Sequence, residues 1–138
     1  MFNECIYFNT TALSRQLDRI WSKAFKPFDL TPSQAFMLRA VLAKPAALQS
    51  ELADTLKITR ATTSRALDGL EARHLVERRA TARDGRECEI YPTANAFKIQ
   101  DRLIQTSQQI TTELKAKLGT DAFATFVDNA RTTAAKIE

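Results

Sequence analysis

Apolar residues along this chain repeat with two different periods. From about Thr10 to Phe25, Leu13, Leu17, Ile20, Trp21 and Ala24 recur at helix spacing, and "KPFDL" breaks the run. "LTPSQ" then reads as a helix start, with Thr31 as cap and Pro32 in the first turn. Phe36, Leu38, Val41 and Leu42 supply its apolar positions until "AKPAAL" ends it. A short helix over 49–56 turns Leu52, Ala53 and Leu56 inward. After "KIT", the segment from Thr59 to Arg73 again has helix spacing. Thr63, Leu67 and Leu70 fall on one side of it, and Arg60, Thr62, Arg65 and Asp68 on the other.

The period then changes. "LVERRA" reads as a strand, "TARDGR" as a turn and "ECEIYPT" as a returning strand. After Thr93 the pattern is helical again: Phe97, Leu103, Ile110, Leu114 and Leu118 mark a helix of roughly 24 residues. Gly119 breaks it and Thr120 or Asp121 restarts it. Phe123, Phe126, Val127, Ala130 and Ile137 line the last helix.

The expected fold is therefore mainly α with a small β-wing, in one domain over 1–138. Two helices joined by about three residues form a helix-turn-helix, and the hairpin behind them makes it winged. This lobe covers about 30–92, flanked by helices at about 1–28 and 93–138. Long helices at both ends of a small chain have little of their own domain to cover their apolar stripes. Packing against the same helices of a second copy solves this with twofold symmetry and places two lobes side by side. The alternative is a compact helical monomer with both ends folded back.

Composition narrows the class without naming a chemistry. No apolar run approaches the 20 or so residues that span a bilayer, and the first residues lack a basic leader, so the expectation is a cytoplasmic, unprocessed protein without a membrane partner. Two cysteines and one histidine, His74, make neither a disulfide framework nor a zinc site, so no metal and no cofactor are expected. The net charge is +4, and most of it is local. Residues 60–86 hold seven arginines (Arg60, Arg65, Arg73, Arg78, Arg79, Arg83 and Arg86) against Asp68, Glu71, Glu77 and Asp84, a net of +3. Such a patch points to a polyanion.

The segment "TRATTSR" suits a helix entering the major groove. Ala61, Thr62 and Ser64 are short enough for close approach, while Arg60 and Arg65 are long donors for guanine edges or phosphates. Gln49 and Ser50, at the start of the preceding helix, are expected to donate to phosphates with help from the helix dipole. At the wing tip, Arg83 and Arg86 flank Asp84 and Gly85. Arginine fits a narrow minor groove, and Asp84 is expected to hold a nearby arginine by an ion pair.

Taken together, "LTPSQAFMLRAVL", "LQSELADTLKITRATTSRALDGLEARHLVERR", "DGR" and "PT" before a long helix resemble the MarR family of bacterial winged-helix regulators, over nearly the whole chain. The resemblance implies a homodimer joined by its terminal helices. It also implies recognition helices in the major groove, wings in the flanking minor groove and a small-molecule inducer. The family's D-x-R wing signature falls on Asp84 and Arg86, and its recognition helix on Arg60 to Arg65. Three positions depart from the pattern. Leu48 stands where a capping Thr is frequent, His74 where a Gly commonly follows the recognition helix, and Gly69 where a basic residue is common, removing one phosphate contact.

The implied function is a sequence-specific transcriptional regulator, more often a repressor than an activator, acting on a pseudo-palindromic operator. Its alternative is a winged-helix module that docks a protein without binding DNA. No paired carboxylates with a base, Ser–His–Asp arrangement, Gly-rich phosphate loop or metal cluster suggests an enzyme. Cys5 is a candidate redox sensor, since organic-hydroperoxide sensors of that family carry an oxidisable cysteine in this region; the plainer reading is a small buried apolar residue. Those sensors place tyrosines beside it where this chain has Pro32 and Ala35. Cys88 alternates with Ile90 and reads as packing. Trp21, Phe25, Phe28, Phe36 and Met37 are either core or the lining of a pocket for an aromatic or lipophilic acid.

Overall fold

The computed structural model describes residues 1–81 and 87–138. Helix α1 (Ile6–Phe25) leads through a 3-10 turn into α2 (Pro32–Ala43). Strand β1 (Ala47–Leu48), α3 (Gln49–Leu56), α4 (Arg60–Ala72), β2 (Val76–Ala80) and β3 (Cys88–Pro92) complete the lobe, and α5 (Ala94–Leu118) and α6 (Thr120–Lys136) follow. The three strands form one antiparallel sheet in the order β1-β3-β2.

Local chemistry sets most of these boundaries. At α2, Gln34 N–H donates to Thr31 Oγ1 at 3.2 Å and Thr31 N–H donates to Gln34 Oε1 at 3.0 Å, a reciprocal capping box. Gly69 of α4 lies against that amide: a Cβ there would run into the Gln34 side chain. The glycine that looks like a lost phosphate contact thus makes room for the α2 cap. The ends of α3 and α4 share a second device. Lys57 and His74 adopt left-handed conformations, φ 55° and 57°, and the next residue's N–H reaches back to Ala53 and Leu70 respectively. His74 thus takes the glycine-like conformation expected of that position.

Two features depart from the sequence expectation. Helix α1 starts at Ile6, four residues before Thr10, because the Cys5 thiol accepts from Phe8 N–H at 3.5 Å. The Asn9 amide also donates to the carbonyls of Phe2, Asn3 and Cys5. Strand β1 was not anticipated. It is only two residues long and is held by β3, with Ala47 opposite Ile90 and Leu48 opposite Glu89.

The core joins the lobe to the flanking helices. Phe25, Met37, Leu38, Val41, Leu67, Leu70, Ile90 and Leu103 are fully buried. Phe25 makes edge-on contacts with Phe28 and Phe36, with ring centroids 6.4 and 6.2 Å away. Helix α6 buries none of its residues, and Phe126, Val127 and Ile137 stand exposed along it. Ile6 and Tyr7 on α1 and Leu118 at the end of α5 are exposed as well. The outer parts of the terminal helices, α6 above all, are left uncovered.

Candidate nucleic-acid interface

Helix α4 divides into a core face and an open face. Thr63, Leu67 and Leu70 are fully buried, and the Thr63 hydroxyl is satisfied by donating to the Thr59 carbonyl at 2.9 Å. On the opposite side, Arg60, Arg65 and Asp68 are exposed and Thr62 is half-buried. The open face carries a hydrogen-bonded ladder. Thr59 Oγ1 caps the helix by accepting from Thr62 N–H at 3.1 Å, and its hydroxyl donates to Thr62 Oγ1 at 2.9 Å. Arg65 Nη2 donates to the same Thr62 oxygen at 3.2 Å. One edge of the guanidinium is held by the helix, and the remaining N–H groups can face outward. Less side-chain entropy is then lost when they meet a ligand.

The surrounding acids are neutralised from the wing. Arg78 on β2, its side chain 19% exposed, pairs with Asp68 at 2.8 Å and Glu71 at 3.3 Å. It also donates to the Ser64 carbonyl at 3.2 Å. One guanidinium therefore ties α4 to the sheet and screens two carboxylates on the helix's polar side. Arg78→Ala should lower unfolding free energy by about 1–2 kcal/mol, a figure discounted because both acids are largely exposed. Urea denaturation measures this, and an unchanged midpoint would show the tie to be energetically idle.

Other arginines of the basic patch are likewise committed to acids. Arg73 donates to the Asp29 carbonyl at 2.7 Å and pairs with the Asp29 carboxylate at 3.3 Å. Arg79 pairs with Glu77 at 3.1 Å and stacks over Tyr91 at 4.0 Å. Among the described residues of this patch, Arg60 and Arg65 have no acidic partner. The candidates Arg83, Asp84 and Arg86 lie outside the described residues.

At the start of α3 the expectation needs a correction. Ser50 does not present free donors: its N–H donates to Glu87 Oε1 at 3.1 Å and its hydroxyl to Glu87 Oε2 at 3.0 Å. Glu51 Oε2 accepts from Leu48 N–H at 2.8 Å, so two carboxylates replace the cap that Leu48 cannot supply. Glu87 was missed because nothing near it in sequence marks a helix start 37 residues earlier. Gln49 is half-buried at the same end.

The five aromatic and Met candidates do not converge on one cavity. Phe25 and Met37 are fully buried core, so they line nothing. Phe28 lies under Arg102, and Phe36 under Arg39 on a separate groove. Trp21 alone edges an apolar groove of about 410 Å³, shared with Leu13, Leu17, Pro32 and Phe126. Its indole Nε1 is buried without a hydrogen-bond partner. Cys5 is exposed and caps α1, so it is not buried packing, and its partner is a backbone N–H rather than a cation. Cys88 packs half-buried against the core. Among the described residues no cluster of three His, Cys, Asp or Glu can hold a metal, and no helix is long and apolar enough to cross a membrane.

The winged lobe, with its buttressed and half-open α4, coincides with a known family. The model of the MarR family matches residues 28–87, from the α2 approach through the wing. Over these residues the lobe is similar to the MarR family. A relative in Bacillus subtilis (strain 168), the uncharacterized HTH-type transcriptional regulator YybA, is 27% identical over 99 residues. That match covers 72% of this chain and 66% of YybA, just under two thirds of its length. Among solved structures, a mutant MarR from E. coli complexed with operator DNA superposes with a TM-score of 0.84 at 24% identity, covering 96% of this chain and 97% of that one. The PcaV transcriptional regulator from Streptomyces coelicolor, in complex with its natural ligand, gives 0.79 at 23% identity, covering 91% and 92%. These likenesses extend the MarR fold to the terminal helices.

Proposed function

We propose that the chain is a transcriptional regulator that binds a pseudo-palindromic operator as a homodimer. It acts as a repressor that a small ligand releases. The observation that carries this reading is the open face of α4, where Thr59 and Thr62 hold Arg65 beside unpaired Arg60 while the opposite face is sealed into the core. Short Thr62 and Ser64 let the backbone approach base edges, and Arg65 offers the fork that fits guanine. Gln49 lies at the start of α3 to meet a phosphate. Arg83 and Arg86 are assigned to the flanking minor groove, with Asp84 holding one of them.

Pairing follows from the uncovered helices. The apolar residues of α6, with Ile6 and Tyr7 of α1, form more exposed hydrophobic surface than scattered single residues account for. A second copy covers them and sets two α4 helices at a fixed separation. An aromatic or lipophilic acid as inducer is assigned to the groove at Trp21, where Leu13, Leu17, Pro32 and Phe126 supply apolar walls beside the polar Thr10, Ser14 and Asp18. Filling it shifts α6 against α1, and with it the spacing of the pair. Ligand release is favoured over oxidation because the recorded partner of the Cys5 sulfur is the Phe8 N–H of its own helix, a capping role.

Selection of bound sequences from random DNA, with and without peroxide, tests this directly. The expected result is a symmetric site with half-site centres roughly 10 base pairs apart, unchanged by peroxide. Enrichment of no sequence would remove DNA recognition. Loss of binding in peroxide that Cys5→Ser abolishes would transfer the switch to the thiol.

A further inference from the structure

The N-terminus of α3 is joined to the wing by more than strand pairing. Across β1 and β3, Leu48 faces Glu89. Two residues before Glu89, the Glu87 carboxylate takes both the N–H and the hydroxyl of Ser50, in a half-buried setting. The backbone after Arg86 is therefore held at the first turn of α3, and it is held by side-chain chemistry that Leu48 could not supply.

The geometry points to Glu87 as a positioning residue for DNA binding, stapling the root of the wing to the helix-turn-helix. This rests on the regulator reading above. Glu87 directly follows Arg86 in sequence, so the staple fixes the described residue that borders the basic 83–86 run. Arginines placed from a fixed root lose less freedom when they meet DNA than arginines on a loose one. An acid at this edge also repels phosphate, which works against binding. The two effects have opposite signs, and substitution separates them.

Glutamine preserves the staple without charge: its carbonyl accepts from Ser50 N–H and its amide donates to Ser50 Oγ. Alanine removes both staple and charge. The test uses the full chain as wild type, Glu87→Gln and Glu87→Ala, with anisotropy titrations on one selected duplex and hydrogen exchange at the Ser50 amide. Thermal melts confirm the folded fraction of each. Positioning predicts that Glu87→Ala binds about tenfold more weakly at equal folded fraction, while Glu87→Gln stays within about twofold of wild type or tighter. The Ser50 amide should exchange slowly in wild type and Glu87→Gln, and faster in Glu87→Ala. Equal or tighter binding by Glu87→Ala, or equal weakening by both variants, overturns the inference. Wild type that binds no duplex sinks the regulator reading, and this role with it. In that event exchange still separates the two failures, since a Ser50 amide equally fast in all three chains shows that the staple itself is absent.

Discussion

Phe25→Ala is expected to lower the unfolding free energy by about 3–5 kcal/mol, the largest stability loss of any substitution considered for this chain. Phe25 is fully buried at the junction of α1 and the 3-10 turn, and it touches Phe28 and Phe36 edge-on. Truncation removes both aromatic contacts and leaves a cavity beneath α2, at the point where the lobe meets the terminal helices. Phe25→Leu keeps much of the volume and should cost clearly less. Chemical denaturation measures both. Similar losses for the two variants would mean that aromatic geometry rather than filled volume holds this joint.

Arg65→Ala carries the largest expected effect on binding. A guanidinium paired with a guanine edge discriminates by about 1–3 kcal/mol, and in a twofold pair the change counts twice, about 2–6 kcal/mol. Affinity for the selected operator should fall by roughly 30-fold to more than 10⁴-fold, whereas affinity for unrelated duplex should fall much less. Arg65→Lys keeps the charge and loses the fork, so it should retain general binding and lose discrimination. Titrations on operator and unrelated duplex at several salt concentrations separate the two. An equal loss on both duplexes would place Arg65 on phosphate instead of a base.

The elements that the sequence made plain are those whose signals are local. Helix α3 spans the expected 49–56, and Thr31 and Thr59 cap α2 and α4 through bonds to N–H groups three residues on. The buried and open faces of α4 were readable because a 3.6-residue period depends on nothing outside the helix. What stayed hidden depends on distant partners. Strand β1 exists only against β3, and Arg73, Arg78 and Ser50 find their partners 44, up to 14 and 37 residues away.

The candidate site was legible in the same proportion. Arg60, Thr62 and Arg65 share the open face as their spacing required. Counting charge could not show which arginines stay open, because a count does not reveal that Arg73 and Arg78 are committed to Asp29, Asp68 and Glu71. Hydrophobic periodicity could not separate core from pocket lining either. Phe25 and Met37 share their helix spacing with Trp21, yet only Trp21 borders open space.

Mass measurement of the chain bound to its selected duplex, by sedimentation or light scattering in dilute buffer, tests the central claim most directly. Two chains presenting two α4 helices to one operator predict a complex of one duplex and two copies, which releases DNA as salt rises. A single copy per duplex, or free chain beside free DNA at low salt, would contradict it.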